Sequence, residues 1–325
     1  MIITTSAVLQ LILSASAILL VVIAAWKALR IWRKWDKVNQ EDKYALEKDS
    51  YLASTAVFIA LGIRLFMVPN FFWTMQGFVS SIPGAMCLWG VFDALPNLAW
   101  SDQFIKIVLP IIYIGWILVA ILNSKSGMNS AMRGLMAFLL LASPLAILDS
   151  VIDIQILLNI KPVEVNCCSN AIDVGFRPIP AAIGSVSGQT ILLVTFLVSS
   201  LMFVMMLLLA RKSRFWLTMS LVASIVLALG FTLTLTEVLT PWLLNLPFHH
   251  CPFCLLFLHP PAILFTVLYW IGLSTPWLIL IMAAFRRYPA LESLEEEFRG
   301  RLGGLSSVTM TAAVFMIAVE IFAIL

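Results

Sequence analysis

The 325-residue chain is 62% hydrophobic and only 11% charged, with a mean hydropathy of +1.02 and a formal net charge of +3. Soluble domains are about half apolar and about a quarter charged, so this excess cannot be hidden in one water-covered core, and lipid must solvate most of the chain. That excludes a cytosolic enzyme, a secreted disulfide-stapled scaffold, a disordered chain and a nucleic-acid-binding module.

Apolar runs of about 20 residues cross a hydrocarbon core as helices. Eight occur in chain order, at roughly 4–26, 51–69, 104–123, 134–158, 189–210, 215–243, 262–285 and 307–325. They are continuous and rich in Leu, Ile and Val, whereas barrel strands would alternate at every second residue. The expected fold is therefore an all-α integral membrane protein of about eight transmembrane helices, forming a single polytopic domain over 1–325. Met1 to Ser6 carries no basic flank, so the first run is expected to be a retained span, not a cleaved signal peptide.

Lys and Arg set the expected topology. Sixteen lie between spans 1 and 2, 3 and 4, 5 and 6, and 7 and 8; the alternate loops hold Lys161 and Arg177, with Lys106 at the start of span 3. By the positive-inside rule both termini face outward across a cytoplasmic (inner) membrane. Trp26, Trp32, Trp35 and Trp216 then fall at the inner boundary, and Trp73, Trp100 and Trp242 at the outer one. The stretch Lys27–Ser50 is expected to extend the first helix beyond the bilayer, and Glu292–Arg301 to form a short amphipathic piece before Gly303–Gly304.

With this topology the reactive residues fall on one face. Cys87, Cys167, Cys168, Cys251 and Cys254 all lie in outward loops or at their edges, and His249, His250 and His259 share the loop between spans 6 and 7. Outside a cytoplasmic membrane, thiols can form disulfides or hold metals beyond reach of the reducing pool. The densest segment runs His249-His250-Cys251-Pro252-Phe253-Cys254, with His259 shortly after. A Cys-x-x-Cys brings two sulfurs close enough to bridge; at the opening of a helical turn, the first thiol would be acidified. The same two thiolates with one or two imidazoles would also suit zinc or copper(I).

Cys167-Cys168 lies in the most polar outward segment. Vicinal cysteines pair more easily with separate partners, or bind one soft metal together, than with each other. Cys87 is a further thiol in the long outer segment 70–103, which holds no Lys or Arg before Lys106 and is broken by Gly77, Pro83-Gly84 and Pro96. That segment is expected to be partly re-entrant or interfacial, as one or two short helices roofing a cavity.

Four ionisable groups fall inside spans toward the outward half: Arg64, Asp149, Asp153 and Glu237. Asp149 and Asp153 are one turn apart and share a helix face. A charge in hydrocarbon costs at least about 2.5–3.5 kcal/mol on insertion scales, so each should face a partner or water. An Arg–Asp lock would use one carboxylate and leave the others for proton or cation chemistry.

These residues support three readings. The first is a thiol–disulfide oxidoreductase moving electrons between outer-face thiols and a membrane quinone or partner thiol protein. In plan, over about a dozen residues, the Cys-x-x-Cys at a helix mouth with a second cysteine pair in an outer loop is similar to the quinone-linked disulfide bond B and vitamin K epoxide reductase families, which have about four helices where eight are expected here. That resemblance implies Cys251 as nucleophile, Cys254 as resolving thiol, Cys167 or Cys168 as shuttle, and a quinone near Trp242. The second reading is a copper- or zinc-binding, handling or transport protein, served by a metallochaperone, with Cys251, Cys254, His249, His250 and His259 as ligands. The third is a non-catalytic subunit of a membrane complex. No phosphate-binding loop or nucleotide fingerprint appears in the sequence, and no span holds a His to ligate an intramembrane haem.

Overall fold

The computed structural model describes residues 4–35, 40–126, 130–165, 185–210, 214–246 and 249–323. The described residues form helices and no strand, and eight helices are long and apolar enough to cross a membrane: Thr5–Lys34, Tyr44–Ser81, Asn97–Lys125, Met132–Asn159, Val186–Leu209, Phe215–Leu243, Pro260–Ala284 and Pro289–Phe322. The chain is a multi-pass membrane protein of all-α class.

In chain order the α-helices are α1 (Thr5–Lys34), α2 (Gln40–Gly77), α3 (Leu88–Asp93), α4 (Pro96–Lys125), α5 (Met132–Asn159), α6 (Val186–Ala210), α7 (Arg214–Thr234), α8 (Thr240–Leu243), α9 (Pro252–Leu258), α10 (Pro260–Ala284) and α11 (Pro289–Phe322). A 3₁₀ turn, Val79–Ser81, follows α2, and a π-helical turn, Leu235–Leu239, joins α7 to α8. The polar ends differ from expectation. The stretch from Gln40 extends the second span, not the first, and α11 runs unbroken through Glu292–Arg301 and Gly303–Gly304. Each interior glycine costs a helix about 1 kcal/mol relative to alanine, which a helix of 34 residues absorbs. Between α2 and α4 the chain breaks at Gly77, at Pro83-Gly84 and before Pro96, as expected, but residues 70–77 belong to α2 and 97–103 to α4.

The residues group into two compact units. The first comprises Met1–Ala85, Gly90–Val165 and Ile281–Glu295. Here α1 packs along α2 and α5, and α4 along α5 and α2. The reason is written in α1: its buried residues are Ala7, Gln10, Ser14, Ala17, Val21, Ala24, Ala28 and Ile31, in strict alternation of three and four. Six of these eight are Ala, Ser or Val, so the stripe lets neighbouring backbones approach closely, which is what drives helix association where lipid removes the hydrophobic gain. Thr4 caps the helix, its hydroxyl accepting the Ala7 N–H at 3.2 Å. Ala24 is fully buried, and Ala24→Leu is expected to destabilise the protein by about 1–3 kcal/mol through overpacking. Thermal unfolding in lipid nanodiscs measures this, with Leu at the exposed neighbour Val22 as the neutral control. In the same unit Gly84 adopts φ +82°, and a Cβ there would lie 2.1 Å from the Val165 carbonyl oxygen, so the turn that accepts the Val165 N–H at Pro83 O requires glycine.

The second unit comprises Met86–Trp89, Asn166–Leu280 and Glu296–Leu325. Its core stacks Phe231 on Tyr269, with Phe196 tilted against both, and the Tyr269 hydroxyl meets Ser200 Oγ at 2.9 Å. A proline inside a helix frees the carbonyl four residues back. Pro276 frees Gly272 O, which Ser306 Oγ of α11 satisfies at 3.0 Å. At the π-helical turn before Pro241, Glu237 O accepts from Gln189 Nε2 of α6 at 3.0 Å, and Gln189 Oε1 accepts the Trp242 indole N–H at 2.8 Å. Polar residues on neighbouring spans thus close the backbone accounting that a bilayer demands.

Candidate functional site

Within the second unit three sulfurs from distant parts of the chain converge. Cys87 immediately precedes α3. Cys251 is the residue before α9, and Cys254 lies one turn inside it. Pro252 explains why the helix starts there, since its fixed φ and missing N–H suit the first helical position. Cys87 and Cys251 are each only 3% exposed, and their sulfurs approach to 3.5 Å, a contact well beyond bonding distance. All three sulfurs lie within 4.8 Å of one another, and Cys254 is half-buried. Trp89 and Phe253 pack over the same region, with ring centroids 6.3 Å apart.

The three histidines separate into different roles. His249 is anchored by its backbone N–H to Leu246 O at 2.9 Å, and its buried Nε2 has no hydrogen-bond partner. Burial pushes its imidazole below the ordinary histidine range; the Cys87 sulfur opposes that shift and His250 reinforces it. A neutral ring with an open nitrogen results. His250 instead turns toward the π-helical turn: its Nδ1 lies 3.2 Å from Thr236 O and 3.5 Å from Glu237 Oε2. His259 Nε2 meets Glu320 Oε2 of α11 at 3.0 Å. The structure brings Cys87 to the expected Cys251 and Cys254 and gives His250 and His259 carboxylate neighbours. Among the described residues no imidazole nitrogen completes a fourth position within 4.8 Å of the sulfurs. Cys167 and Cys168 lie outside the described residues.

A second cluster occupies the first unit, inside the spans. Arg64 of α2 donates to Asp149 Oδ2 from Nε at 2.9 Å and pairs with the same oxygen through its second terminal nitrogen; its other terminal nitrogen donates to Asp153 Oδ2 at 2.7 Å. Lys106 Nζ contacts Asp102, Asp149 and Asp153, at 3.2, 3.1 and 2.6 Å to their Oδ1 atoms, and sits 4.5 Å from the Phe71 ring centroid. Gln10 and Ser14 of α1 donate to Asp153 Oδ2, and Tyr113 donates to Asp149 Oδ2 at 3.1 Å. All five charged side chains are 4% exposed or less.

Sequence reasoning found Arg64, Asp149 and Asp153 but missed Asp102 and Lys106, which fell just before or at the start of span 3. Their i, i+4 spacing on one helix face, repeated by Asp149 and Asp153, was the available signal. Glu237 is not a member of this cluster; its neighbour is His250. The chain matches no protein-family model, no curated protein and no solved structure.

Proposed function

We propose that this multi-pass membrane protein binds and handles a soft transition-metal ion, copper(I) foremost, through Cys87, Cys251 and Cys254. The observation that carries the reading is the convergence of three sulfurs, Cys87 lying 164 positions before Cys251 in the chain, to within 4.8 Å. A dithiol relay uses two sulfurs at a time and gives the third no necessary place, whereas soft-metal ligation uses all three at once. Thiolate donors select copper(I), zinc and iron–sulfur clusters over hard cations, and structural zinc sites are almost always four-coordinate. Three thiolates gathered at one point suit copper(I). His249, two residues before Cys251 and with no hydrogen-bond partner at its buried Nε2, is a reserve ligand. The positive-inside distribution supports an extracytoplasmic position for the cluster, where a metallochaperone or thiol protein would exchange cargo with the half-buried Cys254.

The test is anaerobic titration of the purified full-length protein with copper(I) against a competing chelator, with X-ray absorption of the loaded protein. The expected result is one copper(I) per chain with sulfur neighbours, and a sub-stoichiometric, chelator-labile ion in Cys87→Ser. Failure to retain copper(I) at any competitor concentration would sink the reading.

The 3.5 Å contact between Cys87 and Cys251 favours a second reading, thiol–disulfide exchange, in which Cys254 is the accessible attacking thiol. Differential alkylation in intact membranes separates the two. A Cys87–Cys251 or Cys251–Cys254 disulfide that forms and opens under mild redox change supports exchange, while thiols shielded until chelator is added support metal.

A further inference from the structure

We infer that the buried ion cluster of the first unit is a reversible proton-binding site, with Asp102 the carboxylate that takes up and releases the proton. Among the described residues three carboxylates face two cations, all within the spans and all nearly inaccessible, so the fully ionised cluster carries one uncompensated negative charge in a lipid-surrounded bundle. Such a charge is expensive where neither water nor a further cation offsets it. A single proton restores balance.

The hydrogen bonds then choose the oxygen. Asp149 Oδ2 accepts from Arg64 and Tyr113 and Oδ1 from Lys106. Asp153 Oδ2 accepts from Gln10, Ser14 and Arg64, and Oδ1 from Lys106. A proton on either of these residues would displace a charge-assisted donor. Asp102 has no contact with Arg64. Its Oδ1 accepts from Lys106 at 3.2 Å, but its buried Oδ2, although 3.1 Å from Lys106 Nζ, lies out of line and accepts no hydrogen bond. That oxygen can gain a proton without displacing a hydrogen-bond donor, at the cost of the Asp102 charge opposite Lys106, which Asp149 and Asp153 still face.

Four helices supply the groups around Asp102 and its partners: Gln10 and Ser14 on α1, Arg64 and Phe71 on α2, Lys106 and Tyr113 on α4, and Asp149 and Asp153 on α5. The step is a simple transfer: a hydronium ion yields a proton to the carboxylate, leaving a neutral carboxylic acid and water. Asn70 Nδ2, bonded to Gln10 Oε1 at 2.5 Å, ties α2 to the α1 side of the same network, so protonation is felt by all four helices. This inference is independent of the thiol cluster.

The experiment is infrared difference spectroscopy of the full-length protein in liposomes on acidification, in water and in deuterium oxide. Wild type is expected to show the C=O stretch of one protonated carboxyl, rising as pH falls and shifting on deuteration. In Asp102→Asn, checked for retained helix by circular dichroism, that band should be lost. If Asp102→Asn does not fold, Asp102→Glu keeps the carboxyl, and the band should move in frequency. A band that survives Asp102→Asn, or that Asp102→Glu leaves unmoved, overturns the assignment. So does the absence of any titrating carboxyl band in wild type, or a band abolished by sodium at constant pH.

Discussion

Arg64→Met is expected to be the most damaging single substitution in the spans, destabilising the protein by about 3–5 kcal/mol, a large share of the roughly 5–15 kcal/mol that holds a typical protein folded. The methionine fills much of the same volume, so the effect is electrostatic. It removes the donors to Asp149 and Asp153 and leaves Lys106 alone against three buried carboxylates. Breaking a buried pair costs far more than the pair contributes over an apolar substitute, because the stranded partner remains in a medium that cannot solvate it. The corollary is sharper than the loss itself. In Arg64→Met with Asp149→Asn the imbalance returns to the single excess charge of wild type, and at least half of the lost stability should return. Unfolding in nanodiscs, followed by circular dichroism, gives the four corners of this cycle. An Arg64→Met protein within about 1 kcal/mol of wild type would show that the cluster is solvated and that burial here carries no electrostatic weight.

The spans were legible in the sequence because lipid imposes a length, and eight continuous apolar runs of that length leave little choice. Their ends were not. The charged stretches at 40–50 and 289–306 are helical, yet no hydrocarbon thickness sets their limits, and a propensity sum does not show that a helix passes straight through Gly303–Gly304. The ion cluster was half legible for the same reason. Asp149 and Asp153 stood out deep in an apolar run, whereas Lys106 sat where a lysine ordinarily snorkels to the interface, and only the start of α4 at Pro96 draws it and Asp102 inside a helix. The thiol site divides likewise. Cys251 and Cys254 announce themselves by spacing, but Cys87 meets Cys251 across 164 positions, a tertiary fact with no local trace. The carboxylate neighbours of His250 and His259, Glu237 and Glu320, are likewise tertiary contacts that spacing in the sequence does not show.

Cys251 is the sulfur on which the metal reading turns, and Cys251→Ser is expected to weaken copper(I) binding by about two orders of magnitude or more. Four-ligand thiolate and imidazole sites hold zinc with apparent free energies of about 10–16 kcal/mol, so one ligand accounts for roughly 3 kcal/mol, which is about a hundredfold in affinity. Cys251 should fall at or above this figure, since it is buried, its sulfur lies 3.5 Å from that of Cys87, and it is the residue from which α9 begins. His259→Ala supplies the contrast. It changes a residue in the same loop but one engaged by Glu320, and copper(I) affinity should stay within about threefold of wild type, a difference of less than 1 kcal/mol. Competition titration against a chelator of known affinity measures both. Equal losses in the two variants would mean that the loop binds by its fold and not by its sulfurs. An unchanged affinity in Cys251→Ser would remove Cys251 from the ligand set and leave its contact with Cys87 to redox chemistry.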